Sequence, residues 1–158
     1  MSSITETHRK LLGTWALVEY KAIDTETGHV SHPMGQEAQG FLMYSADGFV
    51  SAHLMQPGAP AFSGKDVERA TQEELSGAMK HYMAYCGHYY LEEVDGGFML
   101  KHNMEVSLFP HWLGNEQGRF VTLNGDNMEL NTANSYLVDG QCVRGSVKWQ
   151  KVQSPAHY

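Results

Sequence analysis

Polar and apolar residues alternate with a period of two along most of this chain, in short runs bounded by glycine, asparagine, aspartate or proline. Successive side chains of a strand point to opposite faces, so the pattern predicts half-buried β-strands. A first strand is expected over residues 14–22, carrying Trp15, Leu17, Val18 and Tyr20. A short one over 29–32 stops at Pro33. Four hairpins are then legible from their turns. Ala46-Asp47-Gly48 joins 39–45 to 49–55, and Asp95-Gly96-Gly97 joins 85–94 to 98–107. Asn124-Gly125-Asp126-Asn127 joins 119–123 to 128–132, and Asp139-Gly140 joins 137–138 to 142–152.

Helical spacing occurs in two places. Residues 8–12 read as one turn, stopped by Gly13. Thr71 and Glu74 form the Ser/Thr-x-x-Glu capping pattern, and Leu75, Ala78, Met79, Tyr82 and Met83 follow as an apolar stripe. The sum is about eight to ten antiparallel strands with one inserted helix. Sequential hairpins without crossover helices favour an up-and-down meander, and closing it into a barrel removes the exposed edges. The expected fold is therefore an all-β closed antiparallel barrel wide enough for one small ligand, with the helix at its rim. A two-layer sandwich is the alternative.

Size and charge narrow the picture. The chain has 158 residues, which suits a single domain over 1–158 with a frayed tail at 153–158. Eleven basic against eighteen acidic side chains give a formal charge of −7. Such a surface repels nucleic-acid phosphates and anionic membranes, so neither is an expected partner. Cys86 and Cys142 are too few for a disulfide framework. The first residues lack the basic and apolar regions of a secretory signal, and a cytoplasmic location is expected. A homodimer is compatible with the sequence. Nine methionines and nine histidines make a pocket worth seeking, since thioether chains fill irregular space and imidazole titrates near neutrality.

The strand over 98–107 is the most informative. Phe98, Leu100, His102, Met104 and Val106 share one parity; Met99, Lys101, Asn103, Glu105 and Ser107 share the other. The first set is expected inside, which desolvates His102 and keeps its imidazole neutral, the form of a general base. The alternative is a core histidine held by a hydrogen bond. Tyr85 and Tyr89 share a face of the preceding strand and are expected in the same cavity, where a hydroxyl can hold a carbonyl oxygen. His53 is the candidate acid partner of His102, although both parities of its strand are partly apolar. Glu105 is expected in solvent beside Lys101; it becomes the candidate base only if the parity reverses. Met43, Met55, Met79, Tyr82 and Met104 are candidate pocket walls, and His111 and Trp112 a candidate mouth. Trp15 and Trp149 are expected to plug the floor, capped by Lys148 or Arg144 through a cation–π contact. No metal site is expected, because His29-x-x-His32 lacks a third ligand and the cysteines are not paired. No cofactor is expected, because nucleotide and dinucleotide fingerprints are absent.

Several stretches together carry a resemblance. These are Leu12-Gly13-Thr14-Trp15, then residues 40–48 around Tyr44-Ser45-Ala46-Asp47-Gly48, then Ala52-His53-Leu54-Met55-Gln56-Pro57. Tyr85-Cys86-Gly87-His88-Tyr89 and Leu108-Phe109-Pro110-His111-Trp112 follow in order. The chain resembles the small single-domain lipocalin-like family of bacteria and fungal biosynthetic clusters, from about residue 11 to 151. The resemblance implies a closed barrel with an internal cavity, without fixing a reaction. The expected ligand is a small hydrophobic oxygenated metabolite of aromatic, polyketide or terpenoid type. The first reading is a cofactor-free isomerase, cyclase or lyase in which His102 moves a proton, helped by His53 or Tyr89. The second is a carrier that only binds and protects such a ligand.

Overall fold

The computed structural model describes residues 2–154. Of the tail expected to fray, 153 and 154 lie outside regular structure, and 155–158 lie outside the described residues. The strands are β1 (Gly13–Asp24), β2 (Val30–Ser31), β3 (Gln39–Tyr44), β4 (Phe49–Met55), β5 (Tyr82–Val94) and β6 (Gly97–Asn103). They continue as β7 (Val106–Ser107), β8 (Glu116–Asn124), β9 (Asn127–Thr132), β10 (Tyr136–Val138) and β11 (Gln141–Lys151). Two α-helices, α1 (Ile4–Leu11) and α2 (Gln72–Lys80), accompany them.

Eight strands close into a ring in the order β1-β3-β4-β5-β6-β8-β9-β11. Each pairs antiparallel with the next, and β1 returns to β11 from Trp15↔Lys151 to Asp24↔Val143, with a bulge between Leu17 and Glu19. The short strands β2, β7 and β10 are side pairings of β1, β5 and β11. The meander is thus a closed barrel, and closure through β1 and β11 excludes the sandwich.

Parity decides the core. Trp15, Leu42, Tyr44, Val50, Ala52, Leu54, Leu100, His102, Leu130 and Trp149 point inward and are buried. In the rows Leu42↔Ala52↔Tyr85 and Met43↔Ser51↔Cys86, the first faces in and the second out. Met43 and Met55, expected in the pocket wall, are therefore on the outer face, 42% and 40% exposed. His53 is on that face too. On β3 and β4 both parities carry apolar residues, so alternation could not choose between them. Val18, Phe41 and Tyr90 also stand outside.

The strand expected over 98–107 breaks at Met104–Glu105. Met104 turns its backbone to Asn115 and Gly114, while Glu105 N–H donates to Cys86. β7 then pairs β5 again at Tyr85↔Ser107, displaced from the Tyr89↔His102 register of β6. Gly87 makes the break possible, because a Cβ there would lie 2.1 Å from the Asn103 carbonyl oxygen. Glu105 does face solvent, but its carboxylate pairs with His88 at 2.7 Å, whereas Lys101 pairs with Glu92 at 2.8 Å.

The barrel's two ends differ. One carries only the short turns after β3, β5 and β8 and is filled by α1, which is longer than the expected turn. Ser3 caps it by accepting from Glu6 N–H at 3.2 Å, and Thr7 and Leu11 are buried. Trp15 Nε1 donates to Leu11 O at 2.9 Å, and Lys151 Nζ donates to Lys10 O and Leu12 O. These are the end carbonyls of α1, where a cation is favoured. Lys151 also lies 4.5 Å from the centre of the Trp15 ring. It is this lysine, not Lys148 or Arg144, that caps the floor.

The other end gathers the long connections, including residues 56–81 with α2. The capping pair is present: Thr71 Oγ1 accepts from Glu74 N–H and Glu74 Oε1 from Thr71 N–H, each at 3.1 Å. The helix stops at Lys80, so Tyr82 and Met83 begin β5 instead of extending the stripe. No described helix is long and apolar enough to cross a membrane.

Candidate functional site

The barrel encloses a cavity of ≈ 780 Å³, within the size range of sites for small organic ligands. Leu42, Ala52 and Leu54 line one wall, and Leu130, Val147 and Trp149 another. Toward the end with long connections, Tyr85, Phe109 and Trp112 form an aromatic corner. The Phe109 and Trp112 rings stand edge to face with centres 4.7 Å apart. Polar groups in the wall include Tyr20 from β1, Glu116, Gln117 and Arg119 from β8, Thr132 from β9 and Tyr136 from β10. Tyr20 and Tyr136 share a hydrogen bond of 2.7 Å. Burial, followed by the Tyr136 neighbour, pushes the Tyr20 hydroxyl far above its ordinary range, so it stays protonated. The indole Nε1 of Trp149 is buried with no acceptor among the described residues.

His102 is inside, as parity predicts, and fully buried. It does not line the cavity. Its Nε2 lies 2.8 Å from the Tyr44 hydroxyl and its Nδ1 2.8 Å from the Tyr85 hydroxyl. Burial, and then the Arg119 charge, hold it well below the usual imidazole range, so it is neutral. A neutral ring donates from one nitrogen and accepts at the other. The buried Tyr44 hydroxyl has His102 as its one partner among the described residues. If it accepted from Nε2, its own proton would be stranded, at a cost of about 1–3 kcal/mol. Tyr44 therefore donates to Nε2, and Nδ1–H donates to Tyr85. That leaves the Tyr85 proton free, on a residue of the cavity wall.

The other expected residues fall in different places. Tyr89 is buried below the cavity, at the α1 end. It donates to Ser45 O at 3.0 Å and meets His8 Nε2 at 2.8 Å. His53 is exposed, with Nδ1 2.8 Å from Tyr82 and Nε2 3.2 Å from Ser51. It shares no cavity with His102, so the expected acid–base pair is not assembled. Met104 is fully buried core. Met79 and Tyr82 line a second recess of ≈ 490 Å³ against α2, which shares Met83 and Phe109 with the main cavity. Tyr85, His111 and Trp112 line the main cavity.

A family model described as a lipocalin-like domain matches residues 12–152. The chain belongs to the lipocalin-like family. The matched span contains the whole ring and every cavity residue named above, while α1 precedes it. This lipocalin-like chain is 34% identical over 107 residues to the 4'-hydroxy-3'-methoxypropiophenone carrier protein ppsC of Aspergillus oryzae (strain ATCC 42149 / RIB 40). The match covers 65% of the chain and 96% of that protein.

Sequence reasoning missed Tyr20, Tyr44, Arg119 and Tyr136. The signal for Arg119 was present, since it shares parity with Val121 and Leu123. An arginine on an apolar parity is either a strand boundary or a cation pointed inward. Starting the strand at 119 instead of Glu116 hid the second case.

Proposed function

We propose that this protein is a carrier that binds one small, largely apolar aromatic molecule bearing oxygen functions and releases it unchanged. The carrying observation is the cavity itself. Its walls are aliphatic and aromatic, its polar groups include several hydrogen-bond donors, and the His102 imidazole, the base the sequence suggests, is sealed behind Tyr85. A group that touches no ligand atom is poorly placed to move a ligand proton. Apolar burial supplies most of the affinity for such a ligand, and a few donors fix its orientation. The name of the ppsC relative supports the same reading, and a hydroxylated, methoxylated aryl ketone is the ligand type we assign. Its ring suits the corner of Tyr85, Phe109 and Trp112.

Titration with 4'-hydroxy-3'-methoxypropiophenone tests this, followed by tryptophan fluorescence, since Trp112 and Trp149 line the cavity. The expected result is saturable binding of one ligand per chain, with the ligand recovered chemically intact. Ala52→Trp, which projects into the cavity, should lose binding, and His53→Ala on the outer face should keep it. Absence of saturable binding, or steady conversion of the ligand to a product, overturns the carrier reading.

A further inference from the structure

Arg119 is a cation without a counter-ion. Among the described residues no carboxylate lies within 4.0 Å of it. Its guanidinium donates to Gln117 Oε1 at 2.9 Å and stands close enough to the Tyr85 hydroxyl to oppose the rise that burial imposes on that group's pKa. It is half-buried in the cavity wall, opposite Leu100 on β6 and Thr132 on β9. A charge removed from water without a partner is unfavourable. The groups facing it do not supply one. Tyr20 from β1, Tyr85 from β5 and Tyr136 from β10 are all held protonated by burial. His102 on β6 is neutral behind Tyr85. His111 stands exposed at the mouth. Glu116 also reaches the cavity wall, but its carboxylate is half exposed and 3.7 Å from Lys101 Nζ.

We infer that the ligand completes this site as an oxygen anion, a phenolate held between the Arg119 guanidinium and the free hydroxyl proton of Tyr85. The inference rests on the carrier reading and adds to it the ionisation state of the cargo. A phenol para to a carbonyl suits the role, because the carbonyl shares the anion's charge and makes such phenols more acidic than plain ones. On binding, the phenol O–H bond breaks, the oxygen keeps the electron pair, and the proton passes to bulk buffer. A neutral phenol would leave the guanidinium uncompensated. The phenolate neutralises both, and this outweighs the desolvation that acts on either charge alone. An opposite charge at close range lowers an acid's pKa by about 1–3 units. The affinity should then rise with pH, about tenfold for each unit of that shift, between the bound and free values.

The phenolates of 4-acylphenols absorb to the red of the phenols, so ionisation of 4'-hydroxy-3'-methoxypropiophenone can be followed spectroscopically with saturating protein. The expected result is an apparent pKa at least one unit below that of the free compound. Arg119→Gln should abolish the shift, and Arg119→Lys should keep most of it. The 4'-O-methyl ether, which cannot ionise, should bind with an affinity independent of pH over the same range. A bound phenol that titrates at or above its free value overturns the inference and leaves the carrier reading intact. Failure of both the phenol and its ether to bind overturns the carrier reading, and the inference with it. The titration of the unmodified protein decides the matter even if an Arg119 variant does not fold.

Discussion

At the scale of single residues, the Tyr44–His102–Tyr85 chain ties packing to binding. Tyr44 donates inward and touches no ligand, whereas Tyr85 accepts from His102 and keeps a proton for the cavity. Tyr44→Phe leaves Nε2 without a donor and should cost about 1–3 kcal/mol in a urea-unfolding experiment, with ligand affinity unchanged. Tyr85→Phe should lose comparable stability and in addition weaken binding of the phenolate by about 1.5–3 kcal/mol. Equal loss of affinity in both variants would contradict the proton assignment. The buried imidazole also sets a pH dependence. Unfolded, it takes up a proton near its ordinary value of 6.5; folded, it stays neutral well below that. The unfolded state therefore binds the extra proton as pH falls under 6.5. Stability should drop there by up to about 1.4 kcal/mol per pH unit. Exchanging His102→Gln should flatten that part of the profile. Glu105 acts lower down: the His88 backbone N–H, then the His88 ring, lower its pKa, so its contribution is lost only as pH falls through the carboxylate range.

At the scale of elements, what was legible in the sequence was whatever follows from period and turn chemistry. Residues 49–55 were bounded correctly, the capping pair of Thr71 and Glu74 is present, and the parity of β5 and β6 placed Tyr85, Tyr89 and His102 inside. What alternation could not carry was any position where both faces are apolar or where a strand changes course. Met43, His53 and Met55 belong to the first kind. Met104 and Glu105 belong to the second, since the break there depends on a contact with Asn115 that lies outside the strand. Gly87 is the residue that admits this break. Gly87→Ala would drive a methyl group against Asn103 O and force β5 and β6 apart at that row. A loss of about 1–3 kcal/mol in thermal or urea unfolding is expected. Unchanged stability would mean that the two strands can separate there without cost.

At the scale of the whole molecule, charge and cavity oppose one another. The chain carries a formal −7, while the one described cation in the wall of the cavity, Arg119, lacks a carboxylate partner. The surface thus gives no hint of what the interior prefers, which is why composition could not name a ligand. Long-range closure, Trp15 beside Lys151 and Asp24 beside Val143, also lies beyond any local pattern. It was inferred only because a meander of about eight to ten antiparallel strands has few other ways to remove its edges.

The plug of α1 at one end and the long connections at the other have a kinetic consequence. Such a barrel is a blind tube: whatever enters must leave by the same opening, and two molecules cannot pass inside it. Exchange is then strictly first out, next in. Excess competitor can fill a vacated barrel but cannot hasten its vacating, so the lifetime of the loaded state is set by the protein and its cargo alone.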